Sequence, residues 1–240
     1  MSKQGPPHML LFVATPSERR AVWDVLRDNA AHITLMGVGP AHAAHAAHAT
    51  LAALPAGFRP LVVAAGIGGA LAPTLAVGDV VVGTGVLTPD KPRCPCCPAA
   101  TAQLAARLTA AGWTVHQGDH LTVPYVVCRA AEKRRLHAQT GAWVVDMESY
   151  AVAQAAVAYE LPLLLLRIIS DDAHHDLPDL NAGFDADYQV RPLAMAALLA
   201  ASPVASIQFL SNLRRALREL RRVVRVGFTD DFERAPEAPR

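Results

Sequence analysis

Short apolar runs alternate along the chain with longer segments of helical periodicity. Strands are predicted at residues 9–14, 33–38, 61–65, 79–86, 143–146 and 162–170, with at least one more inside 114–127. Helices are predicted at residues 16–28, 41–54, 99–111, 132–139 and 148–159, and again in the segment that ends near residue 226. Several strands are apolar throughout, so both faces of their sheet must be covered by helices. The pattern predicts an α/β fold.

Two details of this pattern concern loops and helix ends. Residues 88–98 are dense in proline and cysteine, which predicts a loop. Ser17 is a candidate cap for the first helix. The run at residues 61–65 leads into the glycines Gly66, Gly68 and Gly69, which are typical of a turn at the end of a strand.

Length and composition favour one domain with few charged partners. The chain has 240 residues, of which 52% are hydrophobic, so a single domain at 9–226 is expected between flexible tails at 1–8 and 227–240. The formal net charge of +1 gives no reason to expect nucleic acid as a partner. Only 18% of the residues are charged, which favours a homodimer that covers part of the surface. No segment has the pattern of an export signal or a membrane span, so the cytoplasm is the expected compartment.

Histidines and cysteines recur in two places without the spacing of a metal site. His42, His45 and His48 are three residues apart, whereas paired metal ligands on a helix favour a spacing of four. Cys94, Cys96 and Cys97 are close enough to share a soft metal or form a disulfide, but no second cysteine pair accompanies them. No metal and no cofactor are predicted, and the cysteine segment is interpreted as a variable loop.

Three segments carry a resemblance to a known family. They are AAGIGGALAPTLAVGDVVV at residues 64–82, VVDMESYAVAQAA at 144–156 and LRIISDDA at 166–173. Together, in this order, they resemble the nucleoside phosphorylase/hydrolase superfamily, most closely its methylthioadenosine/S-adenosylhomocysteine nucleosidases. The resemblance implies a three-layer α/β/α fold with a central, twisted, mixed sheet. It also implies that the substrate is a small nucleoside.

The resemblance assigns the chemistry of N-glycosidic cleavage to four residues. Asp171 matches the acid that protonates the purine at N7, and burial at a strand end would help it to hold its proton. Glu148 matches the carboxylate that holds the ribose hydroxyls and favours a cation-like sugar. Glu18 matches the glutamate that activates the attacking water, and Arg167 the arginine that helps to place it. An arginine inside PLLLLRII also needs a buried partner, and Glu18 and Glu148 are the expected ones.

Other residues are expected to contact the substrate. Met147 would pack on the sugar and Tyr125 would stack on the base. The same resemblance adds Val126, Ile67, Gly68 and Ser170 to the substrate-binding set. Each carboxylate also has a purely structural interpretation: Glu18 and Glu148 as helix-start acids, and Asp171 as a turn cap.

The chain departs from the family in ways that leave its substrate open. Ile67 stands where these nucleosidases usually carry a serine, and Asp146 replaces the first glutamate of the EME triplet. In the loop ATPSERR the only cations are Arg19 and Arg20, which as helix residues are expected to point to solvent. Phosphate would then lack bidentate partners, so hydrolysis is predicted rather than phosphorolysis. The expected reaction releases adenine from a 5′-substituted adenosine such as 5′-methylthioadenosine or S-adenosylhomocysteine.

Two alternatives stay open. DMES and SDDAHHDLP resemble the hopanoid-associated nucleosidases, which act on an adenosine carrying a lipid. The arginine-rich amphipathic segment at 207–226 would then favour a membrane surface over simple packing on the core. The other alternative is a catalytically silent protein that binds a nucleoside.

Overall fold

The computed structural model describes residues 8–26 and 31–228, so most of both predicted tails lies outside the described residues. The strands there are β1 (Met9–Val13), β2 (Ala31–Leu35), β3 (Leu61–Ala70), β4 (Val80–Thr88), β5 (Lys91–Pro95), β6 (Val115–Thr122), β7 (Val144–Asp146) and β8 (Leu163–Asp171). The helices are α1 (Pro16–Leu26), α2 (Pro40–Ala52), α3 (Pro98–Ala110), α4 (Ala130–Thr140), α5 (Ser149–Ala158), α6 (Pro192–Ala201) and α7 (Pro203–Gly227), with a 3-10 helix at Leu180–Gly183.

The sheet is mixed, and part of it closes on itself. β2, β1, β3 and β8 are parallel neighbours. β4, β6 and β7 run parallel to one another and antiparallel to β8 and β3. Since β8 pairs with both β3 and β4, the strands β3, β8, β4, β6 and β7 form a ring. The predicted central mixed sheet is confirmed, and its closure brings the ends of β3, β7 and β8 together.

Alternate residues of the strands face two helical layers. Leu11, Val63 and Leu164 pack with α1, α3 and α7 on one face. Phe12, Val62 and Leu165 pack with α2 and α5 on the other. Many core positions of α2 and α5 are alanines, which let these helices lie close to the strands. The predicted three-layer α/β/α fold is confirmed.

The predicted loop at residues 88–98 is wrong, because β5 lies inside it. Among the described strands β5 pairs only with β4, so its prolines lie in an edge strand, where a missing N–H is tolerated. Cys94 and Cys96 are buried in the core cluster that includes residues of α2 and α5, and all four cysteines are free thiols. Burial raises the pKa of the Cys96 thiol to about 12. These cysteines therefore pack in the core of an ordered hairpin.

The glycines after residue 65 form strand rather than a turn. β3 continues through them to Ala70, paired with β8 on one side and β7 on the other. Glycine is required at these positions because side chains of neighbouring strands lie against the backbone. A Cβ on Gly68 would meet Val144 at 2.7 Å, and one on Gly69 would meet the Asp171 carboxylate at 2.9 Å.

The segment α6–α7 differs from the rest of the helical layer. None of the ten residues of α6 is buried, although they are apolar. In α7 the apolar stripe is buried from Ala216 onward, and its arginines face solvent. Within the described residues, no single helix has the length and hydropathy of a membrane span; α6 and α7 reach it only as a pair bent by 116°. The homodimer stays a prediction.

Candidate active site

Glu18 lies at the start of α1 and reaches across to β3. Its Oε2 accepts hydrogen bonds from the Thr15 amide (2.8 Å) and the Thr15 hydroxyl (2.9 Å), and the Glu18 amide lies 3.2 Å from the Thr15 hydroxyl oxygen. This reciprocal arrangement is a capping box, so Thr15 caps the helix and the prediction of Ser17 is wrong. Oε1 accepts from the Ile67 amide at 2.8 Å. Glu18 is thus buried with one oxygen committed to its own helix and the other turned to the glycine strand.

Gly66 is what allows this approach. A Cβ at this position would lie 2.3 Å from Oε1 of Glu18 and 3.6 Å from a guanidinium nitrogen of Arg167. Glu18 and Arg167 therefore both lie against the backbone of β3 at Gly66. The structure brings these two predicted residues together, along with Ile67.

Arg167 has a buried carboxylate partner, but not one of the two expected. Its Nε lies 3.1 Å from Oδ2 of Asp146, and Nη2 donates to the Ser149 hydroxyl at 2.8 Å. Nη1 donates to the carbonyl oxygen of Ala64 at 3.1 Å. The expectation of pairing with Glu18 and Glu148 is wrong, because Asp146 at the end of β7 points into the strand ring beside Arg167.

Asp146 is held as a carboxylate by its surroundings. Burial alone would raise its pKa, but the Arg167 guanidinium, His120 and the Ser149 donors together lower the pKa below its ordinary value. Thr122 also donates to Oδ1 at 2.8 Å. The departure from the glutamate of the family thus serves to fix Arg167 and the start of α5.

Glu148 is the residue before α5, and its side chain is buried. Oε1 accepts a hydrogen bond from the Gly39 amide at 2.8 Å. Burial raises the pKa of Glu148 to about 8, and the neighbouring Asp146 charge adds to this rise. This rise favours a protonated Glu148 near neutral pH, and the role of Glu148 in holding the ribose hydroxyls stays a prediction. A protonated carboxyl can still donate one hydrogen bond to a sugar hydroxyl and accept another.

Asp171 ends β8 and has a partner that the sequence did not predict. Lys133, whose side chain is fully buried, forms an ion pair with Oδ2 of Asp171 and donates to the Asp172 carbonyl oxygen at 2.6 Å. The hydroxyl of Ser170 donates to Oδ1 at 2.6 Å and lies 3.1 Å from the Gly68 carbonyl oxygen. Ser170 therefore contacts two other predicted site residues, Asp171 and Gly68.

Lys133 could have been found from the spacing on α4. It lies three residues from both Ala130 and Leu136, and these three are the buried residues of that helix. A lysine on an apolar stripe must find an anionic partner inside the protein. That spacing was the available signal.

Tyr125 and Val126 lie on the segment between β6 and α4, apart from the contacts described above. The Tyr125 hydroxyl donates to Glu132 at 2.9 Å, and 36% of the residue is exposed. The amide and carbonyl of Val126 are both taken by the side chain of Asn181, at 2.9 Å each. Met147 is half-buried between β7 and α5.

Tyr188 links this segment to the Glu148 region. Its hydroxyl donates to the Pro124 carbonyl oxygen at 2.7 Å. Its ring lies against Gly39, where a Cβ would approach to 2.5 Å. The segment that follows β8 therefore lies across the predicted substrate-binding residues, held there by the contacts of Tyr188 and Asn181.

His120 is a second buried group that the sequence did not predict. It lies on β6 inside the strand ring, and neither ring nitrogen has a hydrogen-bond partner among the described residues. Burial lowers the pKa of His120 to about 4, against the opposing charge of Asp146. The imidazole is thus neutral near Asp146 and Arg167.

The histidines of α2 lie elsewhere. His45 and His48 line a shallow groove of about 510 Å³ beside Tyr159, and His42 contacts the Val38 carbonyl oxygen at 3.0 Å. Of the residues the structure describes, no three His, Cys, Asp or Glu side chains are grouped so as to hold a metal ion. Beyond Asp171, His175 pairs with Asp172 at 2.9 Å, and His174 contacts the Pro73 carbonyl oxygen at 2.9 Å.

Comparison with known proteins identifies the family. A sequence profile of the phosphorylase superfamily matches residues 12–202, so the chain belongs to this superfamily. The chain is 36% identical over 171 residues to a futalosine hydrolase of Streptomyces coelicolor. The aligned region covers 62% of this chain and 67% of that protein. The predicted resemblance is confirmed, and with it the prediction of an enzyme of the nucleosidase class.

Solved structures share the fold. A futalosine hydrolase of Helicobacter pylori has a TM-score of 0.63 at 15% identity and covers 86% of this chain and 97% of its own. A 5′-methylthioadenosine/S-adenosylhomocysteine nucleosidase of Neisseria meningitidis, in complex with methylthio-immucillin-A, has a TM-score of 0.63 at 18% identity and covers 86% and 98%. At these identities the comparison confirms the fold.

Proposed function

We propose that the protein hydrolyses the N-glycosidic bond of a 5′-substituted purine nucleoside. The observation that carries this proposal is that three of the predicted residues lie along the glycine strand β3, with Glu18 and Arg167 at Gly66 and Asp171 at Gly69, while Glu148 is buried beside Asp146, the partner of Arg167. Sites in α/β sheets form where loops leave the strand ends.

Each residue has a role in the proposed reaction. Glu18 takes a proton from the attacking water, using the oxygen that faces Ile67. Arg167, fixed by Asp146 and Ser149, orients that water. Glu148 binds ribose hydroxyls as a neutral acid, and Asp171 delivers a proton to the purine N7 so that the base leaves without charge.

Water is favoured over phosphate as the nucleophile. Arg19 and Arg20 are exposed, and Arg19 lies over the ring of Trp23. Arg167 is already committed to Asp146 and Ser149. No described side chain near the glycine strand therefore supplies the bidentate cationic contacts by which arginine binds phosphate.

The 5′ substituent is the open part of the substrate. The glycine segment favours a small thioether nucleoside such as 5′-methylthioadenosine or S-adenosylhomocysteine. The relative named futalosine hydrolase makes futalosine a further candidate. 5′-Methylthioadenosine and S-adenosylhomocysteine fall within the proposed class, a nucleoside with a 5′ substituent.

A nucleoside with a lipid tail is a second candidate, favoured by one surface. The apolar helix α6 is unburied, and α7 beside it carries six exposed arginines: Arg214, Arg215, Arg218, Arg221, Arg222 and Arg225. Each arginine near an anionic membrane adds about 1 kcal/mol of attraction. An adenosine with a long 5′ alkyl chain, assayed with and without anionic vesicles, tests this candidate. A tenfold advantage in kcat/KM over 5′-methylthioadenosine would favour it.

The proposed reaction is tested by product analysis. The purified protein is incubated with 5′-methylthioadenosine, S-adenosylhomocysteine, futalosine and adenosine, in buffers with and without phosphate. We expect free base and free ribosyl product, at a rate that does not change when phosphate is removed. A ribose 1-phosphate product would indicate a phosphorylase. No base release from any substrate would favour a protein that only binds nucleosides.

A further inference from the structure

Lys133 is a buried charged residue that has no assigned role in the proposed reaction. It is fully buried on α4 and is among the largest side chains without solvent contact. Its ammonium touches two acceptors, Oδ2 of Asp171 and the Asp172 carbonyl oxygen. An ammonium group in such a place loses its hydration, and the loss is recovered only through close partners. The ion pair with Asp171 is therefore the main reason that Lys133 can be buried.

The pairing changes what Asp171 can do. An ionised carboxylate only accepts hydrogen bonds, whereas the proposed reaction needs a donor at N7 of the purine. The other contact of the carboxylate comes from the Ser170 hydroxyl, which also donates to it. The proton that reaches the base must then come from within this group. Lys133 is the member that carries an ionisable proton.

We propose that Lys133 is a positioning residue that stores the proton which Asp171 passes to the departing purine. This inference rests on the proposed hydrolysis. When the C1′–N9 bond breaks, its electron pair moves onto the purine. One proton moves from Nζ of Lys133 to the carboxylate of Asp171 and from that carboxyl to N7, which leaves a neutral amine and a carboxylate.

The remaining steps close the proton balance. The attacking water forms the new bond to C1′ and loses its proton to Glu18. After the products leave, Glu18 returns that proton to solvent and Lys133 takes one up. The sum is one nucleoside and one water converted to a free purine and a free sugar. The enzyme returns to its starting charge.

Substitutions at Lys133 separate proton storage from a structural ion pair. Lys133→Met fills the same space without charge. Lys133→Arg keeps the positive charge but cannot release a proton. Lys91→Met, at an exposed lysine on β5, is the control. Circular dichroism and thermal unfolding establish that each variant is folded.

Two kinetic measurements are made with the nucleoside that the wild-type protein cleaves. The first compares this nucleoside with its N7-methylated form, whose base leaves without being protonated. We expect Lys133→Met and Lys133→Arg to lower kcat at pH 7 by ~10²-fold on the first substrate and by less than tenfold on the second. Lys91→Met should match the wild type on both.

The second measurement is the pH profile on the unmethylated nucleoside alone. We expect kcat of Lys133→Met to rise as the pH is lowered, because Asp171 without a proton store must collect its proton from acid solvent. The wild-type kcat should show no such rise. An absence of acid rescue, a wild-type rate in Lys133→Arg, or equal losses on both substrates would each overturn the inference. A wild-type protein that releases no base from any nucleoside would instead refute the proposed function.

Discussion

At the scale of single residues, the sequence predicted candidate side chains but not the partners of Arg167 and Asp171. Glu18, Glu148 and Asp171 each follow or end an apolar strand and Arg167 lies inside one, and the resemblance of the surrounding segments to the superfamily selected them. The partners of Arg167 and Asp171 depend on contacts between distant segments: Asp146 is 21 residues from Arg167, and Lys133 is 38 from Asp171. Local patterns do not fix which of several nearby charges will pair.

Glu18 offers a test in which helix capping and catalysis separate. Glutamine also completes a capping box, so Glu18→Gln should keep α1 and the fold intact. It cannot accept a proton from water, so we expect kcat for base release to fall by at least ~10²-fold. The change is measured by steady-state kinetics, with thermal unfolding as the check on stability.

The matched control is Glu160→Gln, at an exposed glutamate that pairs with Arg59. This variant should keep the wild-type kcat. A Glu18→Gln protein with near wild-type turnover would show that Glu18 serves only as a helix cap.

At the scale of elements, hydrophobic runs located seven of the eight strands of the described chain, and β5 was missed. Proline and cysteine in residues 88–98 suggested a loop, because a proline lacks the N–H that a central strand needs. An edge strand has no such need on its outer side. The glycines of β3 were also wrongly predicted, as a turn. Glycine is typical of turns, but it is also required where side chains approach a strand closely.

Gly66 links this element to the site. Its backbone does not adopt a positive φ, so alanine is disfavoured there only by contact with Glu18. We expect Gly66→Ala to push the Glu18 carboxylate away from Ile67 and to lower kcat by at least ~10-fold, with a loss of about 1–3 kcal/mol in the free energy of unfolding. Kinetics and denaturant unfolding measure the two effects.

Gly57→Ala is the control for stability. No atom lies within 4 Å of a Cβ at this position, but its φ of +76° strains any other residue. The variant should lose about 1–2 kcal/mol in unfolding free energy and keep its kcat. If the two variants lose activity in proportion to stability, Gly66 does not position Glu18.

At the scale of the whole molecule, the layers followed from the sequence but the closure of the sheet did not. Alternating strands and helices predicted two helical layers around a sheet. Nothing in the local sequence of β8 predicts that it pairs with both β3 and β4. The strand is buried along its whole length, and such a pattern does not distinguish an open sheet from a closed one. That closure buries His120, Asp146 and Arg167 in one interior, and Glu148 is buried beside Asp146.

Burial of Glu148 in this interior predicts how stability depends on pH. Its pKa is raised from an ordinary 4.5 to about 8, first by burial and then by the charge of Asp146. Between these two values the folded protein binds a proton that the unfolded chain has released. The contribution of Glu148 to stability is therefore full below about pH 4.5 and is lost as the pH rises through about 8.

The measurement compares the wild-type protein with Glu148→Gln by denaturant unfolding from pH 5 to pH 9. Glutamine keeps an oxygen to accept the Gly39 N–H but does not titrate. Because all other groups titrate alike in both proteins, the difference in unfolding free energy isolates Glu148. We expect the wild type to lose stability relative to the variant by about 1.4 kcal/mol per pH unit inside the window and to level off above it. A difference that is flat, or that grows in favour of the wild type with rising pH, would mean that Glu148 is already ionised in the folded protein and holds the sugar as a carboxylate.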